Sequence, residues 1–499
     1  MSAFDSIGLS AGNQTRAFMM ALARKIKDRH GSAIHLYCST AQNADFFRKI
    51  DRDGLFTTVN TTTLFAETCR KPVVDEAAAM ETARRYEKLL GTTYNVFAVG
   101  NRHVGRGFAL GGFHHPRSRV SENTSYAQMV NAFNETFQFW ENEIRTKGLT
   151  MGLNGTLEFI AMLRAFNLPF RGLVGSRFKN LYFWGHSERY DTPDVERAFG
   201  TIHVPEDAHV ELPTPFFHEQ EHRREFMREV GLVPMLTRMA GDVARKGYYH
   251  LRGYDKAKGY YLLENLKYRA RRRAAIREMT APGMTRLADL EGKPFAFYPL
   301  HTEPETAVSV LSPEYFYQQA AIAAIARDLP AGVILAVKET IHGAGRRPDN
   351  FYDQIRDLKN VTFLHMMEYG LDVVKKCAAL VTITGTAGFE AAVQGKPVIS
   401  FGRRNIWNFL PHVRVVTDEI RLKDHLRDAL DGTIDPRRAR ADGARYLEAV
   451  VSTSFDMRDF SYYRPEQFQP EAVEDAYRNL CTSVGEAPRA EAAASAAAS

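Results

Sequence analysis

Short apolar runs in this chain alternate with stretches of helical periodicity, and they do so in two separate series. In the first, residues 34–38, 55–59, 95–99, 149–153 and 170–174 read as strands, with helical patterns over 15–29, 76–90, 122–146 and 156–167. The second restarts at 294–299 and continues through 333–337, 361–364, 379–384, 398–401 and 413–416, again with helices between. Strands joined through helices run parallel, so each series predicts a doubly wound α/β domain whose ligand sits beyond the carboxyl ends of the strands. The predicted fold class is α/β, with two Rossmann-type domains facing a cleft and a mainly helical insert between them. The expected boundaries are 1–185 for the first domain, 186–290 for a basic, helical insert, 291–435 for the second domain, 436–484 for a C-terminal helical segment and 485–499 for a low-complexity tail.

Size and composition agree with this division. A chain of 499 residues, 44% of them hydrophobic, can bury two cores. Its apolar runs are strand-sized, far below the roughly 20 residues that cross a bilayer. Residues 1–30 lack the continuous apolar stretch of a signal peptide, so a cytoplasmic protein is expected. Cys38, Cys69, Cys377 and Cys481 form no CxxC pair and no metal-like spacing, which fits a reducing compartment and makes them small apolar side chains. The net charge of +6 is modest, but between Arg245 and Arg273 ten Lys or Arg stand against Asp255 and Glu264, with six tyrosines interleaved. Such a stretch can hold an anionic glycan, anionic lipid headgroups or nucleic acid; it can equally be a solvated helix face over packed tyrosines.

Three polar clusters fall at strand ends of the second series. The most distinctive is Thr384-Gly-Thr-Ala-Gly-Phe-Glu390, where a strand gives way to a helix through small residues and an acid. Free amides at a helix start attract phosphate oxygens, and small residues let a ligand approach. Glu390 could accept hydrogen bonds from ribose hydroxyls, while the plain alternative is a ligand-free turn in which a threonine caps the helix. The other two clusters are Pro299-Leu-His301-Thr-Glu303-Pro-Glu305 and Lys338-Glu339-Thr340-Ile341-His342. Polar groups at three ends of one sheet are what a nucleotide with base, ribose and phosphate requires.

PLHTEPE, then VKE, then TGTAGFEAAVQGKPVISFG resemble the C-terminal half of the capsule-polysaccharide biosynthesis glycosyltransferases, GT-B enzymes related to bacterial Kdo transferases. The likeness covers residues 294–402 well, with weaker counterparts in Gly100-Asn-Arg-His103-Val-Gly-Arg106-Gly and Leu173 to Asn180. Where the family reads KEHP, this chain has Lys338-Glu339-Thr340-Ile341-His342, and Asn101 stands where an acid is expected. The resemblance implies sugar transfer from a nucleotide-activated donor, with CMP-Kdo or a similar CMP-sugar as a candidate, to a bacterial surface-glycan or glycolipid acceptor. It implies a metal-independent route with no cofactor. Donor-binding candidates are His301, Glu303, Glu305, Lys338, Glu339, Thr384, Gly385, Thr386, Ala387, Gly388 and Glu390. Arg102 and Arg106 are acceptor-binding candidates, and His103 and His114 are candidates for the base that takes the acceptor proton. No nucleic-acid partner is expected; peripheral contact with the inner face of an anionic membrane is.

Two other readings are open. His218-Glu219-Gln220-Glu221-His222 matches HExxH, the zinc-protease pattern, but it carries a second acid, runs into Arg223-Arg224 and lacks an evident third ligand. A non-catalytic nucleotide-fold scaffold that binds a polyanion is the other.

Overall fold

The computed structural model describes every residue except Met1, Asn13, 109–115, 213–223, 225, 227, 229, 255–259, Pro304, 461–465 and 490–499. His114 and the HExxH stretch 218–222 therefore lie outside the described residues. The chain divides into two compact units, one of residues 1–97, 123–195 and 450–499, the other of 98–122 and 196–449.

In the first unit, β1 (Ser6–Leu9), β2 (Ala33–Cys38), β3 (Thr58–Thr61), β4 (Met151–Leu153), β5 (Phe170–Gly175) and β6 (Leu181–Gly185) lie in the order β6-β5-β4-β1-β2-β3. A two-residue strand, Phe455–Asp456, pairs outside β6. The pairs from β5 to β3 are parallel, as the alternation predicts, whereas β6 and the outer strand pair antiparallel. The central strand β1 is buried throughout, yet it is four residues long and contains Ser6 and Gly8, too short and too mixed to stand out in the sequence. Helix Arg16–His30 packs against helix Pro470–Val484, and Trp184 Nε1 donates to the Ala476 carbonyl over 3.1 Å. Residues 470–484 thus complete the core of the first unit.

One expected strand is a helix. Residues 95–99 lie within helix Tyr94–Gly100, because Tyr94, Phe97 and Ala98 are buried at helical spacing while Asn95 and Val96 are exposed. Tyr94 and Phe97 pack on Phe133 and Phe137 of helix Tyr126–Lys147, at centroid distances of 5.2 to 6.2 Å. Aromatic contact decides the period where the apolar run alone could not.

The second unit is built on β7 (Phe295–Pro299), β8 (Ile334–Lys338), β9 (Val361–Leu364), β10 (Ala379–Thr382), β11 (Val398–Ser400) and β12 (Val413–Val415). All pairs are parallel, in the order β12-β11-β10-β7-β8-β9. The chain winds one way from β7 to β9 and the other way from β10 to β12. The strand order therefore reverses between β7 and β10, where their carboxyl ends open a crevice. The expected insert contains helices Leu232–Leu251 and Leu262–Met279, the latter sending Ile276 and Met279 into the core of this unit. Residues 98–122, expected in the N-terminal domain, also belong here: Ser118 bridges Tyr260, the Tyr261 amide donates to the Arg117 carbonyl over 2.7 Å, and Arg117 pairs with Glu264 at 3.3 Å.

Candidate functional site at the switch point of the second unit

His301, just beyond β7, reaches across the reversal point to β10. Its Nε2 accepts the Thr384 amide at 3.0 Å and lies 3.3 Å from the Thr382 hydroxyl. A ring nitrogen that accepts a backbone N–H carries no proton, so the neutral imidazole holds its proton on Nδ1. The backbone of His301 is held from both sides by Gln318, whose Oε1 accepts the His301 amide at 2.8 Å and whose Nε2 donates to the His301 carbonyl at 3.0 Å. Gln318 is fully buried at the start of helix Gln318–Asp328.

A buried ion network supports this arrangement. Arg347, 3% exposed, donates from Nη2 to the His301 carbonyl at 2.8 Å and from Nη1 to Glu303 Oε2 at 2.7 Å. It also grips Glu339 bidentately, Nε to Oε2 at 2.7 Å and Nη2 to Oε1 at 2.9 Å. Glu339 further accepts the Tyr352 hydroxyl and the Thr340 amide, each at 2.8 Å. One guanidinium faces two carboxylates away from water. Burial pushes the Glu303 carboxyl up to about 7, although Arg347 pulls it the other way. Glu303 and Glu339, expected to touch the donor, thus brace the loops that carry His301 and Lys338. Neither Arg347 nor Gln318 could be singled out in the sequence: each lies many residues from its partners, in a segment without a motif.

Lys338 ends β8 and is 8% exposed. Burial lowers its amine to about 8, while the carboxylates of Glu339, Glu368 and Glu390 pull it back up. Among the described residues its ammonium makes no hydrogen bond and no ion pair within 4 Å. The influence of Glu390 puts it in the neighbourhood of helix Thr386–Val393, whose N-cap Gly385 supplies no side-chain cap. The N-cap position is thus a glycine, and the Thr382 hydroxyl, at the end of β10, accepts the Gly385 amide at 3.1 Å. The two glycines have different reasons. A Cβ on Gly388 would meet Trp407 at 2.6 Å, so this glycine serves core packing. A Cβ on Gly385 would stand 3.3 Å from His301 Nε2, a tight approach beside the switch-point contact. Thr386 is exposed, with Ala387 and Glu390 half-buried at the rim. Glu305 is half-buried and accepts the Ser309 amide and hydroxyl through its carbonyl at 2.9 and 2.8 Å.

Ile341 takes the inward position and His342 is exposed. Asn101, where an acid was expected, caps the following turn, its Oδ1 accepting the amides of His103 and Val104 at 2.9 and 3.3 Å. His103 Nδ1 lies 2.7 Å from the Ser118 hydroxyl, and its ring is 5.4 Å from that of Tyr260. Burial raises the Tyr260 hydroxyl while Arg102 and Arg346 pull it down, so both guanidiniums lie near this tyrosine. Arg346 also donates to the Tyr268 hydroxyl at 3.0 Å. Tyr260 therefore links Arg102 and His103 to the loop that carries Arg347, within one unit. Arg106 lies 4.0 Å from Glu122.

The residues 243–409 include all of this network except the segment around His103. Residues 243–409 match the family of capsule polysaccharide biosynthesis proteins. The capsule-family resemblance seen in the motifs of β7, β8 and β10 is thereby confirmed over the region that carries them. Among curated proteins none matches. Solved structures similar to this chain include the β-Kdo 2,4-transferase KpsC of Thermosulfurimonas dismutans, at 13% identity and TM-score 0.27 over 57% of this chain and 80% of that one. Others are the calicheamicin glycosyltransferase CalG4, at 11% and 0.29 over 95% and 98%, and the UDP-GlcNAc 2-epimerase of Neisseria meningitidis, at 9% and 0.24 over 90% and 100%. Likenesses this low say nothing about activity. The predicted class of fold, two doubly wound α/β units with a helical insert, is the one the sheets display.

Proposed function

We propose that this capsule-family chain is a glycosyltransferase that binds the phosphate of a nucleotide-activated sugar between Lys338 and the start of helix Thr386–Val393. The observation that carries the reading is the buried Lys338 ammonium at the end of β8, without an ion-pair partner among the described residues, at a switch point where β10, on the other side of β7, leads into a helix whose N-cap Gly385 brings no side-chain cap. A buried cation with no counter-charge in contact suits an anionic ligand, and first-turn amides add directed donors. In the reaction, an acceptor hydroxyl attacks the anomeric carbon, the bond from that carbon to the phosphate oxygen breaks, and the acceptor proton passes to a base. Negative charge then grows on the departing phosphate, where Lys338 and the helix start can stabilise it without a divalent ion. Glu390, one turn into the helix, is the candidate for the ribose hydroxyls, and His103 is the base candidate within the described residues. CMP-Kdo or a related CMP-sugar is the first donor to test, on the strength of the family motifs, with a glycan or glycolipid as acceptor.

Thermal-shift titration with CMP, UDP, GDP and CDP tests the reading, followed by calorimetry with the nucleotide that shifts the melt. A charge-assisted hydrogen bond is worth about 1.5–3 kcal/mol, so Glu390→Ala should weaken that nucleotide by roughly ten- to a hundredfold without unfolding the protein. No shift with any of the four would favour the scaffold reading.

A further inference from the structure

Helix Leu232–Leu251 is amphipathic with its polarity reversed. Its sole fully buried side chain is Asp242, 3% exposed, whose carboxylate accepts from Arg269 at 2.7 Å, from Asn265 at 3.0 Å and from Arg245. Arg269 and Asn265 sit on helix Leu262–Met279, so the two helices are joined through charge. The apolar side faces outward. Leu232, Leu236, Ala240, Val243, Gly247 and Leu251 recur at spacings of three and four, which puts them on one stripe. Among the described residues nothing covers that stripe: Leu232 is 52% exposed, Leu236 51%, Val243 48% and Leu251 85%, with Val233 at 73% beside it. The stripe is about 28 Å long at 1.5 Å per residue.

We propose that this stripe lies in the surface of an anionic lipid bilayer, with the helix axis parallel to the membrane plane. Charge decides between a bilayer and a second copy. Residues 232–252 carry Arg238, Arg245, Lys246 and Arg252 against Asp242 alone, and Arg238, Arg245 and Arg252 recur every seven residues on the side opposite the stripe. Two copies meeting along the stripe would bring two such cationic helices together, whereas an anionic surface attracts them. An apolar stripe backed by Arg and Lys is the pattern of helices that lie in the interface, and no helix among the described residues is long and apolar enough to cross it. The apolar stripe, more than the run of cations the sequence displays, is then the element that enters the lipid. Several of those cations are committed within the protein, Arg269 and Arg245 to Asp242 and Arg273 to the Val230 carbonyl at 2.9 Å.

The test is co-sedimentation of the full chain with phosphatidylcholine vesicles, with and without about 30 mol % phosphatidylglycerol. Binding is expected to the anionic vesicles, to weaken with salt, and to fall at least roughly tenfold in Leu236→Asp/Val243→Asp, whose exposed positions leave the melt unchanged. Depth is read independently. All four native cysteines are buried, so Leu236→Cys can be labelled alone with an environment-sensitive dye whose emission should shift to the blue on anionic vesicles. Binding that survives the double substitution, or a dye that stays in water, overturns the proposal. So does a dimer that the double substitution converts to monomer in a protein that ignores vesicles.

Discussion

Removing Arg347 should cost more stability than any other single change at the switch point. Its guanidinium makes four hydrogen bonds, two to Glu339, one to Glu303 and one to the His301 carbonyl, none longer than 2.9 Å. Arg347→Met keeps the apolar stem but strands two carboxylates where water cannot reach them. Breaking a buried pair from one side costs about 3–5 kcal/mol. For a unit of this size, at about 2–4 °C per kcal/mol, the melting temperature should fall by roughly 10 °C in differential scanning calorimetry. The cause can be separated from lost packing. Adding Glu303→Gln and Glu339→Gln to Arg347→Met removes the uncompensated charge, and replacing a whole buried network by neutral groups is often close to neutral. The triple variant should therefore regain much of the loss. An Arg347→Met protein that melts like the parent, or a triple variant that melts lower still, would refute the argument that the guanidinium is there to neutralise two carboxylates.

Other expectations follow from the same geometry. Because burial lowers the Lys338 amine to about 8, its charge is present below that pH and lost as pH rises through it, so nucleotide affinity in calorimetric titrations should hold through neutral pH and decline above about pH 8. Lys338→Arg, which stays charged, should remove that decline if it still binds. Gly388→Val should lower the melting temperature through collision with Trp407, by about 1–3 kcal/mol of overpacking measured in chemical denaturation, while a retained nucleotide affinity in the folded fraction would separate this glycine from the phosphate.

The sequence made the second unit legible because its strands are apolar, similar in length and set in regular alternation with helices. The polar ends of β7, β8 and β10 could be put on one rim from that pattern, and His301 does meet Thr382 and Thr384 there. What the pattern could not convey was the division of labour on the rim. Glu303 and Glu339 look like ligand-binding acids next to a strand end, and only the position of Arg347, 44 and 8 residues away, commits them to each other. The first unit was less legible at its edges. Residues 95–99 are apolar enough for a strand, yet four aromatic contacts across to helix Tyr126–Lys147 fix a helix instead. Residues 98–122 and 450–499 fall in units other than their neighbours in sequence suggest, since packing over such distances leaves no local trace. Likewise the insert's cations were plain in the sequence, whereas the outward turn of its apolar stripe depends on Asp242 finding Arg269 on the next helix.

In the proposed function, Lys338 and the start of helix Thr386–Val393 hold a nucleotide phosphate. Calorimetric titration of the wild type and of Lys338→Ala, each with the nucleotide selected by the thermal-shift screen and with its parent nucleoside, tests this. The wild type should bind the nucleotide at least tenfold more tightly than the nucleoside, about 1.4 kcal/mol or more, and Lys338→Ala should erase that preference while leaving nucleoside binding unchanged. An undiminished preference for the nucleotide in a folded Lys338→Ala protein would contradict it.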